Sequence, residues 1–389
     1  MAIVLFDPAD RESFFPLTQT RAVAAFRMGM LTIQQRWQLW SNQPVFILTA
    51  HYLQSLYPVI EQGTHIWIDA TVLPDEALLQ QILQLQHGQA VQDAQGIVAC
   101  CIESDEGPFS LAEVSPRLTY IHTWQHPVNR LMYAWDLFKC NDEWARKDFG
   151  LLTAGSIPPS LSHTNQVIRP DLVYVEEGAE VEFATLNAAT GPIYIARNAV
   201  IMEGSFLRGP LYIGEGTVVK MGAKIYGATT IGPRCTVGGE IKNAIIMGNS
   251  NKAHDGYLGD AVIGEWCNLG AGTSNSNVKN TGGEVKIWHH STGKFVLAGF
   301  KCGMIMGDYT RTAINTAINT GTIIGTCCNV FGDGLTPKVL APFTWGSKGI
   351  TRYEFEKALQ DVNNWKKMKH SELTVQETEV LKHVFEHIK

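Results

Sequence analysis

Between Ile195 and Val237 an aliphatic residue stands at every sixth position without a miss: Ile195, Ile201, Leu207, Ile213, Val219, Ile225, Ile231 and Val237. A period of six matches neither the 3.6 of a helix nor the 2 of a plain strand. It predicts a solenoid in which six residues make one flat side and three sides make one coil. The aliphatic side chain of each hexad then points inward and stacks on its equivalents in the neighbouring coils. Small residues often follow four places later, at Ala199, Ser205, Thr217, Ala223, Thr229 and Cys235, where a corner crowds the backbone. Of the 36 glycines, 26 fall between Gly191 and Gly334, and turn conformations that penalise a side chain account for the bias. The register returns at Ile263 and Leu269, and again at Met306, Thr312, Ile318, Ile324 and Val330. Cys235, Cys267 and Cys328 take the small-residue position and read as corner packing. Two segments break the period, Asn249 to Asp260 and Asn275 to Lys301, and both are expected to loop out, where binding groups collect.

At 389 residues the chain is long enough for two domains with appendages. Ahead of the solenoid, Ile3 to Phe6, Val45 to Leu48 and His65 to Ile68 read as strands. Leu78, Leu79, Ile82 and Leu83 make a helical stripe, as do Leu131, Trp135 and Phe138. That alternation predicts an α/β layer domain with a mostly parallel sheet over residues 1–155. A polar linker (156–165), the solenoid (166–336) and a C-terminal segment (337–389) follow. Thr351 with Glu354, and Thr374 with Glu377, announce two helices by capping boxes. Their expected job is to cap the open solenoid end or to pack between subunits.

Apolar residues make up 45% and charged ones 17%, which excludes a disordered chain. A net charge of -6 argues against nucleic acid or an anionic membrane as partner. No run approaches the length of a membrane span, and the opening Met-Ala-Ile-Val-Leu-Phe-Asp lacks the basic region of a secretory signal. Eight cysteines without Cys-x-x-Cys spacing leave neither a disulfide framework nor a zinc ribbon. A reduced, cytoplasmic protein is the expectation.

Chemistry concentrates in the first interruption, Ser250 to Asp260. His254 is the only histidine between His163 and His289, and imidazole is the side chain best suited to accept a proton near neutral pH. Lys242, Lys252 and Tyr257 surround it in sequence, and the polar run Asn275-Ser276-Asn277 belongs to the next coil. A zinc solenoid enzyme needs several histidines from adjacent coils. Only His289 and His290 could join, from another loop, so no metal is expected here.

The stretch Glu240 to Asn277, with its core His-x-x-Tyr-Leu-Gly-Asp-x-x-Ile-Gly followed by Asn-Leu-Gly-Ala-Gly-Thr, resembles the acetyltransferase half of the GlmU-like bifunctional proteins (N-acetylglucosamine-1-phosphate uridyltransferase and glucosamine-1-phosphate N-acetyltransferase). It also resembles their archaeal sugar-1-phosphate nucleotidylyltransferase relatives. The opening Leu5-Phe6-Asp7 with Pro16-Leu17-Thr18-Gln19-Thr20-Arg21 resembles a shortened bacterial form. The resemblance implies a reduced Rossmann-like nucleotidyltransferase domain followed by a left-handed parallel β-helix, assembled as a homotrimer with acetyl-CoA between neighbouring coils. It implies His254 as the general base, Lys242 as a phosphate ligand, and Tyr257 and Asn268 as sugar contacts. Ala271, Asn277 and Val278 match positions that line acetyl-CoA. Where the family often has a phosphate-binding arginine this chain has Tyr226, with Lys224 two residues away.

The amino-terminal region departs further. The family opens with a Gly-x-Gly-Thr-Arg loop that wraps a nucleoside triphosphate, but here no glycine precedes Gly29. Arg11, Arg21 and Arg27 are the candidates for phosphate binding, and Asp69 for a magnesium ion. Trp135-Asp136-Leu137-Phe138 with Asn141 resembles the helix that closes the family domain. The leading expectation is an enzyme of UDP-N-acetylglucosamine synthesis, using acetyl-CoA, Mg2+ and UTP or dTTP. Two alternatives stand beside it: a nucleotidylyltransferase with an inert trimerising β-helix, and a non-catalytic scaffold.

Overall fold

The computed structural model describes residues 1–104, 115–156, 160–348 and 351–388, and residues 157–159 of the expected linker lie outside them. The chain divides into two compact units. The first comprises residues 1–14, 21–26 and 31–132; the second comprises 15–20, 27–30 and 133–389.

In the first unit the strands Ile3–Phe6, Val45–Leu48 and Thr64–Asp69 run parallel, with Ile3–Phe6 in the middle. All four residues of Ile3–Phe6 are buried, as a strand covered on both faces requires. The sheet then turns mixed. Gly96–Glu103 pairs antiparallel with both Thr64–Asp69 and Gln89–Asp93, and Tyr120–Thr123 joins Gln89–Asp93 in parallel. Helix Ile33–Ser41 starts from a capping box of Thr32 with Gln35, and its Trp37 donates Nε1–H to the Val72 carbonyl at 2.9 Å. Helix Glu76–Leu83 buries Leu78, Leu79 and Ile82 behind an Asp75 cap, as the stripe predicts.

The second unit carries the parallel β-helix. Three faces of nine, ten and six strands run side by side. The eight aliphatic residues of the hexad run are each at most 2% exposed and stack in continuous columns, Ile195 on Ile213 on Ile231 for one face. Corner residues do more than fit. Thr217 donates Oγ1–H to the Gly232 carbonyl at 2.8 Å and accepts from the Cys235 amide at 3.1 Å. Ser250 and Thr310 repeat this bridge with Cys267 and Cys328. Cys235, Cys267 and Cys328 are all buried, and every cysteine is free.

Asn249 to Asp260 does not loop out. It holds two strands of the stack, Asn251–Lys252 and Tyr257–Gly259. The period fails there because coils shorten: Ile213 pairs with Ile231, eighteen residues on, whereas Ile231 pairs with Ile246, only fifteen on. The second interruption does protrude, as the antiparallel hairpin Val285–His289 and Lys294–Gly299.

Helix Asp136–Thr153 belongs to this unit, and Leu131 and Trp135 precede it rather than forming its stripe. It lies on the nine-stranded face. Asn141 donates to the Ala228 carbonyl at 2.6 Å and accepts from the Gly29 amide at 2.6 Å and from Thr230 Oγ1 at 3.1 Å. At the C-terminus, Thr374 and Glu377 form the predicted capping box of helix Val375–His387. Thr351 caps nothing: it lies in the two-residue strand Thr351–Arg352, which pairs antiparallel with Thr344–Trp345 and ends the ten-stranded face. Helix Phe355–Lys367 runs along that face, with Trp365 over the Arg311 guanidinium at 5.8 Å. Among the described residues no helix is long and apolar enough to cross a membrane.

Candidate active site

Four of the sequence-predicted residues meet on the six-stranded face. In register, Lys224 pairs with Glu240 and Tyr226 with Lys242; Glu240 then pairs with Tyr257, and Lys242 with Gly259. Side chains at alternate positions of a strand share one side, and these strands keep Ile225, Ile241 and Leu258 inward. Lys224, Tyr226, Lys242 and Tyr257 therefore line the outer side in two adjacent columns. A cleft of about 280 Å³ opens there, lined by Lys224, Glu240, Asp255, Gly256 and Tyr257.

Two phenols stay protonated at this face. Tyr226 donates to Glu240 Oε1 at 2.6 Å, and that bond, more than burial, pushes its pKa up to about 12. Tyr257 is pushed up to about 12 by burial first and by the Asp260 charge second. Asn277 joins the site through Tyr257, donating to its hydroxyl at 3.1 Å and to the Asp260 carboxylate. Asn243 holds the other Asp260 oxygen at 2.7 Å.

His254 sits at the corner between strands Asn251–Lys252 and Tyr257–Gly259, with an exposed side chain. Two glycines shape its surroundings. Gly256 has φ of 120°, and a Cβ there would stand 2.1 Å from the Thr273 carbonyl oxygen. Gly239, with φ of 68°, passes so close that a Cβ would stand 2.7 Å from the His254 carbonyl oxygen. Both positions demand the backbone freedom that only glycine has. One coil further on, buried Asn275 clamps Gly259 from its side chain, accepting from the amide at 2.9 Å and donating to the carbonyl at 3.0 Å.

Asn268 is not brought to this face. It lies on the ten-stranded face, between Asn251 and Arg311 in register, which helix Phe355–Lys367 overlies at Arg311. Ala271 is half-buried at a corner and its carbonyl accepts from the Asn315 amide at 2.7 Å, while Val278 is 41% exposed. Glu240, Asn243 and Asp260 are the contributors that residue-type reasoning did not assign, and Lys252 is one that it named only as a neighbour of His254. The signal for the first three was present, since each lies beside a singled-out residue in a paired strand or its turn.

In the amino-terminal unit, Asp7 follows the strand Ile3–Phe6 and is held by Arg11 Nε at 2.6 Å, the Val23 amide at 2.8 Å and Thr49 Oγ1 at 2.5 Å. Burial raises the Asp7 pKa, and the Arg11 charge opposes it. Arg11 also donates to the Arg21 carbonyl at 3.4 Å, so Arg11 and Arg21 adjoin at the carboxyl end of the sheet, where ligands of open α/β sheets bind. Arg27 belongs to the other unit, where it donates to the Met30 carbonyl at 2.6 Å and covers the Tyr212 ring. Asp69 has the right place for a metal ligand, at a strand end, but the wrong neighbours. Its Oδ2 faces Arg130 Nη1 at 2.5 Å, and its Oδ1 accepts from the Thr71 amide at 2.9 Å and hydroxyl at 2.7 Å. A second Arg130 nitrogen reaches Asp93 at 3.2 Å. The guanidinium already supplies the positive charge, so the residues around Asp69 do not fit a divalent cation. No group of three His, Cys, Asp or Glu among the described residues offers an alternative.

Residues 3–157 match a family described as sugar nucleotidyl transferase. The chain is 37% identical over 89 residues to the bifunctional protein GlmU of Methanocaldococcus jannaschii, covering 23% of this chain and 21% of that one. It is 34% identical over 170 residues to a bifunctional sugar-1-phosphate nucleotidylyltransferase/acetyltransferase of Sulfurisphaera tokodaii, covering 43% and 40%. Against the bifunctional protein GlmU of Methanococcus maripaludis it is 28% identical over 246 residues, covering 59% and 51%. The chain thus spans between about a fifth and a half of the length of these relatives.

Proposed function

We propose that this GlmU-like chain is a transferase of UDP-N-acetylglucosamine synthesis, which moves the acetyl group of acetyl-CoA to the amine of glucosamine 1-phosphate on its β-helix. The observation that carries the reading is the juxtaposition of the exposed His254 corner with the cleft flanked by Lys224 and Tyr257. An ammonium cannot attack a thioester, so a base must first remove a proton. His254 is that base: its imidazole takes the proton, the amine nitrogen bonds to the carbonyl carbon, and the carbon–sulfur bond breaks to release coenzyme A. Lys224 and Lys242 attract the sugar phosphate, and Tyr226, whose hydroxyl is committed to Glu240, stands where the family often has an arginine. Tyr257 orients the sugar. Ala271, Asn277 and Val278 line the acetyl-CoA path, completed by a neighbouring subunit in a homotrimer. Asn268 would reach substrate only if its face also borders that path.

The amino-terminal unit fits the second step of such a pathway, uridylyl transfer from UTP to N-acetylglucosamine 1-phosphate, with Arg11 and Arg21 near the nucleotide phosphates. No step is assigned to a magnesium ion at Asp69. The test of the first half is release of free thiol from acetyl-CoA in the presence of glucosamine 1-phosphate. His254→Ala should lose the rate by about 10²–10⁴-fold, and undiminished release in that variant removes the base. A chain that releases pyrophosphate from UTP but never thiol would instead be a nucleotidylyltransferase with an inert β-helix, a reading that draws on the family match over residues 3–157.

A further inference from the structure

The column of side chains inside the ten-stranded face runs Val181, Ile201, Val219, Val237 and then Lys252. A lysine thus occupies an inward stacking position that is aliphatic in the four preceding coils, and it is 2% exposed. Its ammonium donates to two backbone carbonyls, Gly238 at 3.2 Å and His254 at 2.5 Å. Gly238 belongs to the preceding coil and His254 to the corner itself, so one buried charge ties the His254 peptide to the coil next to it.

Such an arrangement costs stability. Replacing buried charge by an apolar side chain of similar volume is commonly neutral or stabilising, and the column already provides an apolar setting. Features that break the local packing rule cluster at functional sites. The rest of the corner is held further along, where the Asp255 carbonyl accepts from the Gly272 amide at 3.0 Å and the Gly256 carbonyl from the Glu240 amide at 3.3 Å, and Lys252 supplies the bond at the His254 peptide itself.

We infer that Lys252 is a positioning residue, which fixes the His254 backbone from inside the coil so that the imidazole is presented to the sugar amine. This rests on the reading of His254 as the base. Lys252 touches neither substrate nor the reacting atoms, and it acts by restricting where the His254 ring can stand. A misplacement on the ångström scale is enough to cost roughly 10²-fold in rate.

Lys252→Met keeps the length of the side chain and removes the ammonium, and it is compared with the wild-type full chain in two measurements. The expected result is a folded variant melting no lower than wild type, with acetyl-transfer kcat reduced roughly tenfold to a hundredfold and KM for acetyl-CoA unchanged. Amide hydrogen exchange in the peptide spanning 253–257 should be faster. Unchanged exchange overturns the inference, and so does faster exchange with kcat intact. If His254→Ala itself keeps full activity, the base assignment has failed, and the exchange measurement alone then decides whether Lys252 holds the corner.

Discussion

Thr20 donates its hydroxyl to Asp308 Oδ2 at 2.6 Å, 288 positions away along the chain and shielded from solvent. One residue earlier, Gln19 accepts from the Thr326 amide at 3.1 Å. The Pro16 to Thr20 stretch, which in sequence belongs to the opening that resembles a shortened bacterial form, is therefore bonded to the β-helix within the second unit. Thr20→Val keeps the shape and removes the donor from a buried carboxylate. It should lower stability by about 1.5–3 kcal/mol, read as a lower denaturation midpoint with an unchanged slope. A midpoint within error of wild type would mean that the bond contributes nothing net.

Gly256→Ala should damage both stability and acetyl transfer. The residue has φ of 120° and no room for a Cβ beside the Thr273 carbonyl. Backbone strain of this kind costs on the order of 1–3 kcal/mol, and relief by moving the corner displaces His254. Gly293→Ala is the control, since it has φ of 61° but open space around it; it should lose stability without losing acetyl transfer.

Burial lowers the Lys252 pKa to about 8, whereas a lysine in the unfolded chain titrates near about 10.4. Between those values the unfolded state holds more protons, so stability rises with pH. Below about pH 8 the whole penalty of burying the ammonium is present, on the order of 3 kcal/mol. In denaturant titrations, the advantage of Lys252→Met over wild type should therefore shrink between about pH 7.5 and pH 10. An advantage that does not change with pH would show the amine to titrate normally.

Arg130→Leu leaves Asp69 and Asp93 facing each other without the guanidinium that now bridges them. Breaking a buried pair in this way costs about 3–5 kcal/mol, so thermal scans should show a large loss for that unit. Magnesium chloride should not raise the melting temperature of the wild-type chain. A saturable rise that disappears in Asp69→Asn would restore the carboxylate as a metal ligand.

How the chain encodes its shape differs between its parts. The β-helix was legible because each coil repeats the same demand, one inward aliphatic per hexad, and a repeated demand shows as a period. The run from Ile195 to Val237 lies buried as that period requires. Where coils shorten, the period breaks although the stack continues, and a count by sixes mistakes Asn249 to Asp260 for an excursion. The chemical types at the site were legible as well, since a histidine, lysines and tyrosines stand close along the chain.

Their partners were not. Register alone sets Glu240 against both Lys224 and Tyr257, and it puts Asn268 on another face from residues near it in sequence. Likewise nothing local marks Lys252 as inward or Asp69 as already neutralised, because both follow from what packs against them. Inward hydrophobicity is a property of single residues repeated along the chain, and the sequence by itself determined it. Hydrogen bonds and ion pairs belong to two residues at once, and for those distant in sequence only the tertiary structure decides which two meet.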